Sequence, residues 1–170
     1  MNTPKTILLL FCLQLILFCC NKNSATPLNT IIADVDGVTQ TFSFNDSANR
    51  ANDINVYPGQ TVYSANVFGN TTNAFKTNTI IISINLPQPI TPGKYLFDNS
   101  NPQYDNIFIS YAENPSNFDY IPDTRQPNPA TITITSISST NIQGTFSGDL
   151  FGTLDSARKI TNGRFNVNFK

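Results

Sequence analysis

Thr79-Ile80-Ile81-Ile82-Ser83-Ile84-Asn85-Leu86 is the stretch that decides the fold class. Ile80, Ile82, Ile84 and Leu86 fall on one side of an extended chain, with Ser83 and Asn85 on the other, because successive side chains of a strand point to opposite faces. Ile81 makes the start of the run apolar on both sides, as expected near the centre of a sheet. Pro87 and Pro89 end it, since proline cannot donate to a ladder. Before it, beyond a loop at 70–78, residues 61–69 alternate in the same way, with Tyr63, Ala65 and Val67 on one face. After it, Thr91-Pro92-Gly93 turns the chain into residues 94–97, and residues 106–112 gather Ile107, Ile109 and Tyr111 on one face with Phe108 on the other.

Further out the pattern persists. Residues 31–44 read as a hairpin in which Asp36-Gly37 is the turn, because both of its residues tolerate the positive φ that a two-residue turn requires. Asp34-x-Asp36-Gly37 is not a calcium loop, since an EF-type loop places three spaced oxygen ligands ahead of its glycine and only two are present. Residues 45–60 read as a polar connection with room for one helical turn over 47–54, and close at Pro58-Gly59. Residues 130–137 and 142–148 form strands about a turn at 138–141, residues 149–159 a loop, and residues 160–169 the last strand. Within that strand Asn162-Gly163 predicts a bulge. Residues 113–129 are the longest irregular stretch, interrupted by Pro115, Pro122, Pro127 and Pro129. No segment has a sustained helical period. Eight or more short strands rich in β-branched and aromatic residues predict an all-β domain, an antiparallel β-sandwich, with a closed or partly open β-barrel as the alternative.

The N-terminus carries a different signal. Residues 1–6 are polar with one cation, Lys5, and residues 7–19 are apolar apart from Gln14. Such a run suits a signal peptide and is short of the ~20 residues of a membrane-crossing helix. Leu17-Phe18-Cys19-Cys20 then resembles a bacterial lipobox, with a branched apolar residue three before the lipidated cysteine, and it fits Cys20 better than Cys19. The expected organisation is a signal peptide over 1–19, a lipidated tether over 20–29 and a single β domain over 30–170. Each buried methylene contributes about 0.8 kcal/mol, so two or more acyl chains on Cys20 would hold the domain stably on a lipid bilayer.

Composition removes several chemistries. The 10 basic and 11 acidic residues leave a net charge of −1, one unit more negative once Lys5 departs, and no basic patch suits nucleic acid. The three cysteines are Cys12, Cys19 and Cys20. The first two leave with the signal and the third becomes a thioether, so no thiol is left for a disulfide, a thiolate metal site or a nucleophile. Histidine is absent, which excludes Ser-His-Asp and Cys-His catalysis and the usual zinc sites. No cofactor or metal is expected.

The lipobox, the first strand ending in Asp-Gly, the mid-chain Pro92-Gly93-Lys94-Tyr95 turn, the Thr/Ile row from Thr131 to Ile137 leading into Ile142-Gln143-Gly144-Thr145-Phe146-Ser147, and the closing Ile160-Thr161-Asn162-Gly163-Arg164-Phe165-Asn166-Val167 together resemble the small, uncharacterised Bacteroidetes-type lipoproteins grouped under domains of unknown function. The resemblance implies a β-rich lipoprotein of the outer membrane and transfers no catalytic residue. Surface-exported lipoproteins of that group often carry acidic residues after the lipidated cysteine. Asn21-Lys22-Asn23-Ser24 has none, which favours the periplasmic face. Asp46-Ser47-Ala48 and Asp155-Ser156-Ala157 match the short O-glycosylation pattern of the group, making Ser47 and Ser156 candidate modification sites.

For function, the proline-rich stretch 113–129 is too long to be a mere connection. It brings together Phe118, Asp119, Tyr120 and Arg125, with Tyr104 as a possible neighbour, and aromatic faces beside Asp and Arg suit a sugar or a protein partner. The alternative for Phe118 and Tyr120 is that they cap the core. The expectation is a non-catalytic binding or accessory module for a glycan or an envelope protein. The runner-up is a structural or assembly lipoprotein that offers an edge strand. A carboxylate glycosidase stands third. Glu113 is the single glutamate, so a dyad would draw on Asp98, Asp105, Asp119 or Asp123, and nothing in their spacing selects a pair.

Overall fold

A computed structural model describes residues 25–57, 60–73, 78–100, 106–113, 118–152 and 155–170. Eleven strands follow in chain order: β1 (Thr30–Val35), β2 (Val38–Phe42), β3 (Phe44–Tyr57), β4 (Gln60–Asn70), β5 (Thr79–Leu86), β6 (Gly93–Leu96), β7 (Asn106–Glu113), β8 (Phe118–Pro122), β9 (Ala130–Ile137), β10 (Asn141–Phe151) and β11 (Ala157–Asn168). All are antiparallel neighbours in the order β2-β1-β11-β10-β8-β7-β5-β4-β3, and β9 pairs both β10 and β6. The all-β expectation holds, and of its two arrangements the molecule takes the barrel-like one, a single antiparallel sheet that is nearly closed.

Two local devices curl the sheet. On one side β10 shares a single edge between two neighbours: Ile142 to Gly148 pair with β9, and Leu150 and Phe151 pair with Pro122 and Ile121 of β8. On the other, the chain passes from β2 into β3 through Ser43 alone, so one continuous path borders β1 and then β4. Ala48 bridges Phe169, and the Lys170 amide donates to the Ala48 carbonyl at 3.0 Å, bringing β3 beside the end of β11. Gly69 of β4 lies so close to Phe42 and Ile31 that a Cβ there would sit 2.9 Å from both the Phe42 carbonyl oxygen and the Ile31 side chain.

The core is built by the expected rows. Ile80, Ile82, Ile84 and Leu86 of β5 are buried, as are Ile107, Ile109 and Tyr111 of β7 beside them. Ile142, Phe146 and Leu150 of β10 and Ile160, Phe165 and Val167 of β11 are buried as well. Asp36 and Gly37 have φ of 50° and 81° and join β1 to β2 as a two-residue turn. The Asn162-Gly163 bulge is present: Asn162 has φ 52°, and pairing with β10 slips between Phe146 and Gly148 at this point.

Three expectations are corrected. Residues 45–57 are strand, without the helical turn allowed over 47–54. Pairing with β4 overrides the weak strand preference of their Asn, Asp and Ala residues, at the cost of three breaks in register. The stretch 113–129 is not irregular throughout, because β8 occupies its middle, and its Pro122 is tolerated at the strand's last position. The loop expected at 149–159 shrinks to 152–156, since β10 and β11 run on to Phe151 and back from Ala157.

Candidate functional site

The site grows from β8 and the segment after it. Tyr111, Ala112 and Glu113 of β7 pair with Tyr120, Asp119 and Phe118. Strand alternation turns Tyr120 inward, where it is 2% exposed, and leaves Asp119 and Ile121 outside, Ile121 at 43% exposed. Just beyond β8, Asp123 organises a tight turn. Its amide donates to the Asp149 carbonyl at 3.0 Å, fixing the segment to β10, and the Gln126 amide donates to its carbonyl at 2.9 Å. Its carboxylate accepts from the Arg125 backbone N–H (3.1 Å), Arg125 Nε (2.7 Å), Arg125 Nη2 (3.0 Å) and Gln126 Nε2 (3.1 Å).

This arrangement lays the Arg125 guanidinium over the Phe151 ring, 3.6 Å from its centroid. A cation on an aromatic face is attracted by the ring quadrupole. One edge of the guanidinium is thus committed to Asp123, one face to Phe151, and the remainder is open to solvent. The Arg125 side chain is 59% exposed, against 8% for Asp123. Bonds from the Arg125 side chain, helped by its backbone N–H and by Gln126, hold the Asp123 carboxyl at about 2, below its ordinary 3.8. The same pairing raises Arg125. Asp119, Ile121, Arg125, Phe151, Gly152 and Asp155 line an open cleft of about 570 Å³. The Asp119 and Asp155 carboxylates, the fixed Arg125 cation and the exposed Ile121 side chain beside the half-buried Phe151 can pair with a polar ligand that also has an apolar face.

Behind the cleft lies a second polar cluster. Arg158 of β11 donates to Glu113 through Nε at 2.6 Å and Nη2 at 2.9 Å, stands 3.5 Å from Asp36, and covers the Tyr120 ring at 4.8 Å. Glu113 holds Arg158 above its usual value. The single glutamate of the chain therefore serves a two-pronged ion pair between β7 and β11.

Of the residues expected at a ligand site, Asp119 and Arg125 come together in the cleft. Tyr120 does not join them. Its ring lies 6.1 Å from that of Tyr111, tilted against it, and packs against Gly152 in the interior. Phe118 has its backbone in β8, while its side chain, all of Tyr104, and Cys20 lie outside the described residues. Ser47 sits half-buried within β3 and Ser156 half-buried in the 152–156 loop, its carbonyl accepting from the Gly152 amide at 2.9 Å. Sequence reasoning missed Phe151 and Ile121, and offered Asp123 only as a candidate glycosidase carboxylate. Phe151 was legible in principle: extending the β10 alternation past Gly148 puts Leu150 inside and leaves an aromatic residue outside at the strand's end. No group of three or more acidic, His or Cys side chains gathers as for a metal ion among the described residues. No family model matches the chain, and no curated protein or solved structure matches it.

Proposed function

We propose that this chain is a cell-envelope lipoprotein, anchored in the outer membrane by acylated Cys20, facing the periplasm, and serving as a non-catalytic binding module for a glycan or an envelope protein. The anchor is supported by Leu17-Phe18-Cys19-Cys20 alone. The binding role rests on one observation, Arg125 immobilised between Asp123 and Phe151 at the mouth of an open cleft. A side chain already ordered loses little further freedom when a ligand arrives, which favours recognition. The glycosidase alternative is weakened because Glu113 is bound on both oxygens by Arg158.

The test is a panel of envelope polysaccharides and crosslinked envelope extract presented to the wild type, Arg125→Ala and Phe151→Ala. Loss of a wild-type ligand in both variants at unchanged melting temperature supports the cleft. Retention of that ligand by both removes it. An edge-strand assembly role has its own support in β6, which pairs only β9 among the described residues and leaves Leu96 46% exposed. A partner held through β6 would survive both cleft substitutions and be lost on Tyr95→Pro.

A further inference from the structure

The polypeptide leading back towards Cys20 does not leave the domain at random. Thr26 is tied down by Asn166 Nδ2, which donates to its carbonyl at 2.9 Å, and Asn29 by the Asn168 amide, which donates to Asn29 Oδ1 at 3.1 Å. These anchors are themselves oriented. Asn141 Nδ2 donates to Oδ1 of both Asn166 (3.0 Å) and Asn168 (3.1 Å), while Gln143 Nε2 donates to Asn141 Oδ1 at 3.1 Å. With its oxygen accepting from Asn141, the Asn166 amide must present its N–H to Thr26. The Asn166 side amide and the Asn168 backbone N–H thus form a clamp on the incoming chain, with Asn141 and Gln143 orienting the Asn166 amide.

The clamp and the cleft lie at opposite ends of the same two strands. Asn166 pairs with Gln143, whereas Phe151 is eight residues further along β10, a separation of about 26 Å at the rise of an extended strand. From Thr26 back to Cys20 there are six residue steps, which reach about 20 Å when fully extended. A lipidated Cys20 therefore falls short of the cleft even if the tether ran straight towards it. The clamp end also carries the 138–140 turn and Leu28, whose side chain is 56% exposed.

We infer that the domain stands end-on, with the 138–141 turn and Leu28 against the lipid surface and the Arg125–Phe151 cleft directed into the aqueous phase, so that the cleft receives a partner from outside the bilayer. This rests on acylation of Cys20 as proposed above. The acylated chain contains no other thiol once the signal peptide is removed, so single labels can be placed at Ser139→Cys and Thr124→Cys, both exposed positions. Each labelled protein is bound to phosphatidylcholine–phosphatidylglycerol vesicles carrying a headgroup quencher. Several-fold stronger quenching at 139 than at 124 is the expected result. Equal quenching at the two positions, as for a domain lying on its side, or stronger quenching at 124 overturns the orientation while leaving the anchor intact. Failure of mass-verified acylated protein to bind the vesicles overturns the anchor, and the orientation with it.

Discussion

At the scale of single residues, Tyr120 and Arg125 show how a position a few places along the chain separates core from surface. The Tyr120 ring is held by Tyr111 on one side, Arg158 above it and Gly152 packed so closely that a Cβ there would stand 2.8 Å from the ring. Tyr120→Ala empties a filled site and leaves Arg158 without its aromatic partner. The expected cost is about 3–5 kcal/mol, read as a melting temperature lower by roughly 10 °C or more. Asp123 provides a pH-dependent counterpart. Its folded carboxyl titrates at about 2, below the ordinary 3.8, so between those values the unfolded chain holds a proton that the folded chain does not. Its contribution is fully present above about pH 4 and is lost as the pH falls through 2. Denaturant titrations from pH 2 to 5 should show a shallower rise of stability with pH in Asp123→Asn than in the wild type.

At the scale of elements, the β10–β11 hairpin carries the strictest sequence requirement. Gly144 lies beneath the Phe165 ring, where a Cβ would be 2.7 Å from the ring edge and would collide with the Thr133 carbonyl. Backbone of β9 and side chain of β11 close over it together, so neither can yield alone. Gly144→Ala is expected to destabilise the domain by about 1–3 kcal/mol, measured as a lower denaturation midpoint at unchanged slope. The hairpin was legible in the sequence because Ile142, Gly144 and Phe146 alternate and Asn162-Gly163 announces its bulge. β3 and β8 were not, and for different reasons. Among the described residues β3 borders only β4 along most of its length, joined by one bridge to Phe169, so it has no need of the alternating apolar rows of a central strand. β8 is five residues long and ends on a proline, so its identity comes from being laid between β7 and β10 rather than from its own preference.

At the scale of the molecule, the sheet curls because β10 hands its edge from β9 to β8 and because β2 runs on into β3. Protection should follow that arrangement. Amide hydrogen exchange is expected to be slowest in β5, β10 and β11, which are paired on both sides, and fastest in β6 and the far half of β3. Exchange in β6 as slow as in β5 would show that a further partner covers its free edge.

The two-residue alternation of Ile, Val and Phe and the Asp-Gly and Asn-Gly turns determined by themselves that the chain is all-β and which rows form its interior, since side-chain direction along a strand is a local property of the backbone. The absence of histidine likewise limited its chemistry without reference to shape. Which strands become neighbours was decided only in three dimensions. Closure, the strand within the proline-rich stretch and the meeting of Arg125 with Phe151 all depend on contacts between residues far apart in the chain, and these have no local pattern to reveal them.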